Sequence, residues 1–199
     1  MRKSCLFLIS SVFASAFFAN VANAEWVIRE RIVNFDYEKN NTSSAAPVAN
    51  IDHNSVPEID VSYFIEKPIS FELSTTASRQ SATSSFNSSN LGDVWLIPAN
   101  LTAQYHFFAD QPLKPYIGAG INYTWFITTG SSGGNNVTYD DSVGIVGQVG
   151  TDLQITKSWL LNFDVKKIYM RPKVSINGSP KTEDKIDPWV FGVGVGYKF

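Results

Sequence analysis

Cysteine is nearly absent from this 199-residue chain, with Cys5 as its single example. Cys5 falls inside an apolar stretch near the start, so the remainder has no disulfide, no reactive thiol and no cysteine metal site. Nor does it stand at a cleavage point, where a lipid-modified cysteine would be found. Long apolar runs are missing as well. The longest candidate, residues 6–18, is broken by serines and falls short of the roughly 18 residues that a membrane-crossing helix needs, which excludes a helical bundle. A basic excess is also missing: 16 Lys and Arg stand against 18 Asp and Glu, so nothing suggests nucleic acid. Mean hydropathy is -0.07, the value of an ordinary soluble domain, but an average hides periodicity.

The apolar stretch reads as a signal. Arg2 and Lys3 precede it, and Ala22-Asn23-Ala24 follows as a small-x-small cleavage site, giving the three regions of a secretory leader. Residues 1–24 are therefore expected to be cleaved, leaving a single domain over 25–199 that begins at Glu25. Loss of the leader lowers Lys and Arg from 16 to 14 against the same 18 acids, for a net charge of -4. An exported chain without thiols must hold itself together by its core, by sheet closure or by a membrane.

From Glu25 onward apolar residues recur with period two, and no helical period is convincing. In the last segment Trp189, Phe191, Val193, Val195, Tyr197 and Phe199 alternate with Val190, Gly192, Gly194, Gly196 and Lys198. The same odd parity holds at Ile117, Ala119, Ile121, Tyr123 and Trp125, and again at Trp159, Leu161, Phe163 and Val165. Further copies are Ile59 to Ile65, Ile69 to Thr75, Leu101 to Phe107 and Val143 to Leu153. An eighth segment, from Trp26 to Tyr37, puts a charge on the apolar face under either parity. The even face is preferred outward, because it exposes only Glu30 where the alternative exposes Arg29 and Arg31; a bulge could change the register partway.

Eight strands of this length suit an eight-stranded antiparallel transmembrane β-barrel, whose even count returns both termini to one side. The connections alternate accordingly. Those near Lys67-Pro68, 109–112 and 156–158 are short, whereas 38–55, 78–90, 128–140 and 171–185 are long and rich in Ser, Asn, Gly and Pro. Short periplasmic turns and long extracellular loops are the asymmetry of outer-membrane barrels. Trp26, Tyr63, Tyr105, Phe107, Tyr116, Trp159, Tyr197 and Phe199 near one end, with Trp95, Tyr123, Trp125, Tyr169 and Trp189 near the other, suggest two interfacial girdles, although aromatics are also good strand formers. Lys167 beside Tyr169 is placed to snorkel toward headgroup phosphates.

The opposite parity then faces the interior and carries charges of both signs. Glu58, Asp60, Glu72, Asp152 and Asp164 stand against Lys114, Lys166, Lys198, Arg29 and Arg31, five facing five. Charges in so narrow a space require partners, so salt bridges across the interior are expected, with Gly118, Gly120, Gly144, Gly150, Gly192, Gly194 and Gly196 making room for them. A barrel of eight strands holds side chains or one small ligand, not a wide pore.

Several ordered motifs carry a resemblance. Lys114-Pro115-Tyr116-Ile117-Gly118-Ala119-Gly120-Ile121-Asn122-Tyr123-Thr124, then Gly147-Gln148-Val149-Gly150 with Asp152, Ser158-Trp159-Leu160-Leu161-Asn162, and Ile186-Asp187-Pro188-Trp189 through Gly196-Tyr197-Lys198-Phe199 resemble the outer membrane protein W family, which includes the AlkL-type alkane-uptake proteins. Leu96-Ile97-Pro98 and Leu101 to Tyr105 extend the match, while 25–90 is similar only in pattern and length. The resemblance implies a narrow, largely apolar channel open to the outside, passing small hydrophobic molecules that leave sideways into the membrane. Pro98 offers a physical reason for such an exit. It lacks a backbone N–H, removes a ladder bond and can hold two strands apart, or else it is tolerated at a bulge. Trp95, Phe126, Tyr139 and Ile168, near the outer mouth, are candidate contacts.

Tyr197 and terminal Phe199 resemble the C-terminal signal by which the barrel-assembly machinery recognises its substrates through strand addition. An enzymatic reading finds little support. His53 lies in the first long loop and His106 beside a short turn, with no Ser or acid partner suggested by spacing. No cofactor or metal is called for. The expected setting is integral in the bacterial outer membrane, among lipids and lipopolysaccharide, with small hydrophobic solutes as ligands. The alternative is a non-transporting barrel, structural or adhesive, whose loops bind a surface, a phage or a bacteriocin.

Overall fold

The structure, a computed structural model, describes residues 25–36, 55–83, 90–129, 137–176, 182–183 and 187–199. The expected leader at 1–24, His53 and much of the first long loop lie outside them.

A strand that must separate hydrocarbon from a filled interior puts apolar and inward side chains on alternate positions, and this alternation runs through the whole sheet. Its main members are β1 (Glu25–Asp36), β2 (Ser55–Glu66), β3 (Ile69–Thr76), β4 (Ser78–Thr83), β5 (Asn90–His106) and β6 (Leu113–Thr129). The short β7 (Val137–Tyr139) precedes β8 (Ser142–Gln154) and β9 (Trp159–Met170), and β10 (Lys173–Ile176) and β11 (Thr182–Glu183) precede β12 (Trp189–Lys198). The sheet runs in the order β3-β2-β1-β12-β9-β8-β6-β5, and β5 pairs back onto β3. The result is a closed antiparallel barrel of eight strands, with β4 extending β3 along β5 beyond it. Closure removes the edges of the eight-stranded sheet, so its backbone groups pair with one another in place of water, except at the β5 rungs of Ile97 and Pro98.

On β1 the odd residues point inward: Val27, Arg29, Arg31, Val33 and Phe35 are buried, while Glu30 and Ile32 are exposed. No bulge interrupts its pairing with either neighbour. Aliphatic and aromatic side chains such as Ile59, Leu73, Ile121, Val143, Phe163 and Phe191 cover the outside. An apolar surface of that extent is a membrane surface, not a soluble one.

Three expected loops contain strand. β4 pairs with the start of β5 from Ser78↔Leu96 to Thr83↔Asn90, so the hairpin rises past the expected loop boundary. β6 continues to Thr129, and β7, β10 and β11 form a separate three-stranded sheet above the barrel. Tyr116 corrects the girdle: it is buried, and its hydroxyl donates to Asp164 Oδ2 at 2.7 Å. Gly150 makes this possible, since a Cβ there would strike the Tyr116 ring.

Candidate functional site

The interior is layered along the barrel axis. Counting up from the short-turn end, β1 contributes Val27, then Arg29 and Arg31, then Val33 and Phe35, and β9 contributes Leu160, then Asn162, Asp164 and Lys166, then Ile168 and Met170. A charged layer therefore lies between a thin apolar base of Val27 and Leu160 and a larger apolar layer above.

The lower layer is a closed ionic network. Arg29 holds Asp152 through two bonds, Nε to Oδ1 at 3.1 Å and Nη2 to Oδ2 at 2.6 Å, and reaches Asp60 at 2.9 Å and Ser62 Oγ at 2.7 Å. Arg31 donates to Glu58 and to Glu72, each at 2.9 Å, to Asn162 Oδ1 at 2.6 Å, and faces Asp60 at 3.0 Å. Lys166 meets Glu58 at 2.7 Å and Asp164 at 3.0 Å. Gln148 closes the far wall, donating to Glu72 at 2.9 Å and to Asp164 at 2.7 Å. Gln104 adds a bond to Glu72 at 3.0 Å. Three bases serve five acids, so amides and the Tyr116 hydroxyl are needed to satisfy the remaining lone pairs.

Lys114 and Lys198 lie outside this network. Lys114 donates to Gln154 Oε1 at 2.9 Å, and Lys198 pairs with Glu25 at 2.5 Å, both at the short-turn mouth. Their positions at the strand ends, where side chains reach water, explain the difference. A shallow vestibule there is lined by Lys114, Lys198, Gln154, Trp159 and His106. Between the turns Lys67 bonds Asp110 at 2.8 Å, and this contact raises the lysine and lowers the carboxyl from their ordinary values.

The upper layer is a buried apolar cluster of Val33, Phe35, Leu96, Phe126, Val146, Ile168, Met170 and Val190. It contains two of the candidate contacts, Phe126 and Ile168. Trp95 falls on the outward parity, because its neighbour Leu96 is the residue that turns inward. The backbone of Tyr139 pairs with Val174, but its side chain lies outside the described residues. Leu96, Val33, Met170 and the others were legible only as inward parity, which does not distinguish a channel wall from packing.

Pro98 is buried at the boundary of these layers. The pairing of β3 with β5 ends at Thr75↔Ala99, and that of β4 with β5 starts at Ser78↔Leu96, in unchanged register. The missing rungs are those opposite Ile97 and Pro98, where the imide has no N–H to give. Thr75 Oγ1 donates to the Pro98 carbonyl at 3.1 Å, and Thr76 Oγ1 turns to Pro57 O at 2.6 Å. On the interior side a polar ladder runs past this gap: Asn122 donates to Asn100 Oδ1 and Thr124 to Asn122 Oδ1, each at 2.9 Å.

His106 has a neighbour that spacing did not reveal. Its Nε2 lies 3.0 Å from Ser70 Oγ and 3.2 Å from Gln104 Oε1, while Nδ1 has no hydrogen-bond partner among the described residues. A hydroxyl and an imidazole thus meet at the short-turn end, a pair that the sequence spacing did not suggest.

Comparison with protein families matches residues 11–199 to the OmpW family. Outer-membrane protein y4mB of Sinorhizobium fredii is 35% identical over 183 residues, covering 87% of this chain and 80% of its own. Outer membrane protein W of Vibrio cholerae is 32% identical over 164 residues, covering 75% and 76%. Among solved structures, the outer membrane protein OprG of Pseudomonas aeruginosa superimposes with a TM-score of 0.73 at 22% identity, covering 88% of this chain and 96% of its own.

Proposed function

The chain belongs to the OmpW family of integral outer-membrane barrels, and from that premise we propose that it is a passive channel for small, mostly hydrophobic molecules, which arrive from the long-loop end and leave sideways into the membrane. One observation carries the reading: the buried apolar layer rests directly on an ionic network that fills the barrel below it. A solute following the axis would have to separate Arg29, Arg31 and Lys166 from their carboxylates, and breaking such buried pairs costs several kcal/mol. The wall at Pro98 lacks its ladder bonds at the depth where the apolar layer ends. A molecule in that layer thus has a weak lateral wall beside it and a strong floor beneath it.

Phe126 and Ile168 line the path, with Trp95 on the outer rim and Tyr139 above. The ionic network acts as the floor and cross-brace. Residues 1–24 act as a cleaved leader, and Tyr197 with Phe199 serves recognition by the assembly machinery; these roles rest on the sequence pattern. Uptake of a small apolar dye by liposomes containing the protein tests the channel. Wild type is expected to load the bilayer faster than protein-free vesicles and faster than an Ile168→Lys variant; equal rates would overturn the reading.

The sealed axis also suits a second reading, a non-transporting barrel whose extracellular sheet of β7, β10 and β11 presents a surface to lipopolysaccharide, a phage or a bacteriocin. Deleting 130–136 separates the two, since partner binding would be lost while solute uptake persisted or rose.

A further inference from the structure

Glu30 is the one charged side chain, among the described residues, that faces outward in the middle of the barrel wall. It is exposed and makes no hydrogen bond or ion pair among them. It pairs across the backbone with Ile59 on β2 and Val195 on β12, and the next rows bring Ile28, Ile32, Val61 and Val193 around it. On its own strand it stands midway between Trp26 at the periplasmic girdle and Asn34 near the outer rim. A carboxyl at that depth meets acyl chains, which give it no hydrogen bond, and its side chain is too short to reach either interface.

We propose that this face of β12, β1 and β2 is where two copies of the chain associate in the membrane, with their Glu30 carboxyls hydrogen-bonded to each other across a twofold axis. The chain's own composition selects the partner. Among the described residues the outward base within the eight spanning strands is Lys167, which lies at the long-loop rim, donates to the Asp187 carbonyl at 2.7 Å and stands 4.8 Å from the Trp189 ring. A copy packed head to tail therefore has no cation to offer at the depth of Glu30. A twofold copy presents the same group to itself, and a carboxyl both donates and accepts. The surrounding surface suits the contact. Ile28, Ile32, Ile59, Val193 and Val195 are short, stiff and β-branched, and the aromatic Tyr197 stands across from Ile28, one row toward the periplasmic girdle, so the rows of Glu30 and Ile32 themselves carry no aromatic.

The test uses the full chain with Cys5→Ser, so that an introduced thiol is the sole one. Cysteine is placed at Ile59, beside Glu30, or at Ile121 on β6 across the barrel, both exposed. Membranes are oxidised mildly and the covalent dimer is measured. Ile59→Cys is expected to yield about tenfold more dimer than Ile121→Cys, the factor that one net hydrogen-bonded contact supplies. Adding Glu30→Leu should reduce cross-linking to the Ile121 level, whereas Glu30→Gln, which pairs reciprocally as an amide, should retain it. Heat-modifiable migration on gels verifies that each variant is folded. Equal cross-linking at the two positions, full cross-linking with Glu30→Leu, or capture of a different protein at Ile59 would overturn the proposal.

Discussion

Arg31 sits where no water reaches it, held between Glu58, Glu72, Asp60 and Asn162. Truncating it leaves two or more buried carboxylates without their cation, and the cost of breaking such a cluster is about 3 to 5 kcal/mol. Arg31→Ala is thus expected to lower the urea midpoint of the bilayer-inserted protein markedly, and pairing it with Glu72→Gln to recover part of the loss. The Lys67 to Asp110 contact is the opposite case, since both groups are exposed. Its carboxyl is lowered and its ammonium raised, so the bond persists across neutral pH, weakening on acidification through the lowered Asp110 range and on alkalinisation through the raised Lys67 range. Solvent screening makes it worth little, and Asp110→Asn should leave the unfolding midpoint at pH 7 unchanged.

Strands carry the argument at the next scale, and Pro98 is where one of them departs from rule. Pro98→Ala returns a backbone donor opposite Thr76 and lets the β5 ladder close. Uptake of an apolar solute should fall while the fold and its stability are kept or improved; transport equal to wild type would show that the exit lies elsewhere. The eight spanning strands were legible because hydrocarbon on one face and a packed interior on the other impose strict alternation, as in the run from Trp189 to Phe199. β4 and β10 were not, because residues such as Ser78 and Lys173 belong to segments beyond that alternating belt, where no apolar period is demanded. Tyr116 was misplaced for a related reason: its even parity pointed inward, yet an aromatic near a turn also fits a girdle, and only the Asp164 carboxylate beside its hydroxyl decides between them. The charged floor could be read as a set of inward residues, but Gln104, Gln148 and Asn162 could not be assigned to it, since an amide is tolerated in too many environments. The apolar layer was read only through Phe126 and Ile168.

At the scale of the molecule, closure and an apolar exterior make the membrane part of the structure. The purified chain from Glu25 onward is expected to show a β-type circular dichroism spectrum in detergent and to aggregate once the detergent is removed. Replacing both Tyr197 and Phe199 with serine should lower the amount of heat-modifiable barrel in cells while leaving refolding in detergent largely intact, if these residues act in recognition rather than in packing. The seam itself imposes a further condition. β1 and β12 are the two extremes of the described barrel and also neighbours along ten paired rows. No portion of the polypeptide is therefore a smaller working version of the whole. A product arrested before its final hairpin would carry two raw margins, each a line of bare amides and carbonyls that fat cannot accept. Premature stop mutations near the 3′ end of the reading frame should consequently behave like complete deletions, and quality-control proteases of the envelope gain a simple all-or-none criterion for what to destroy.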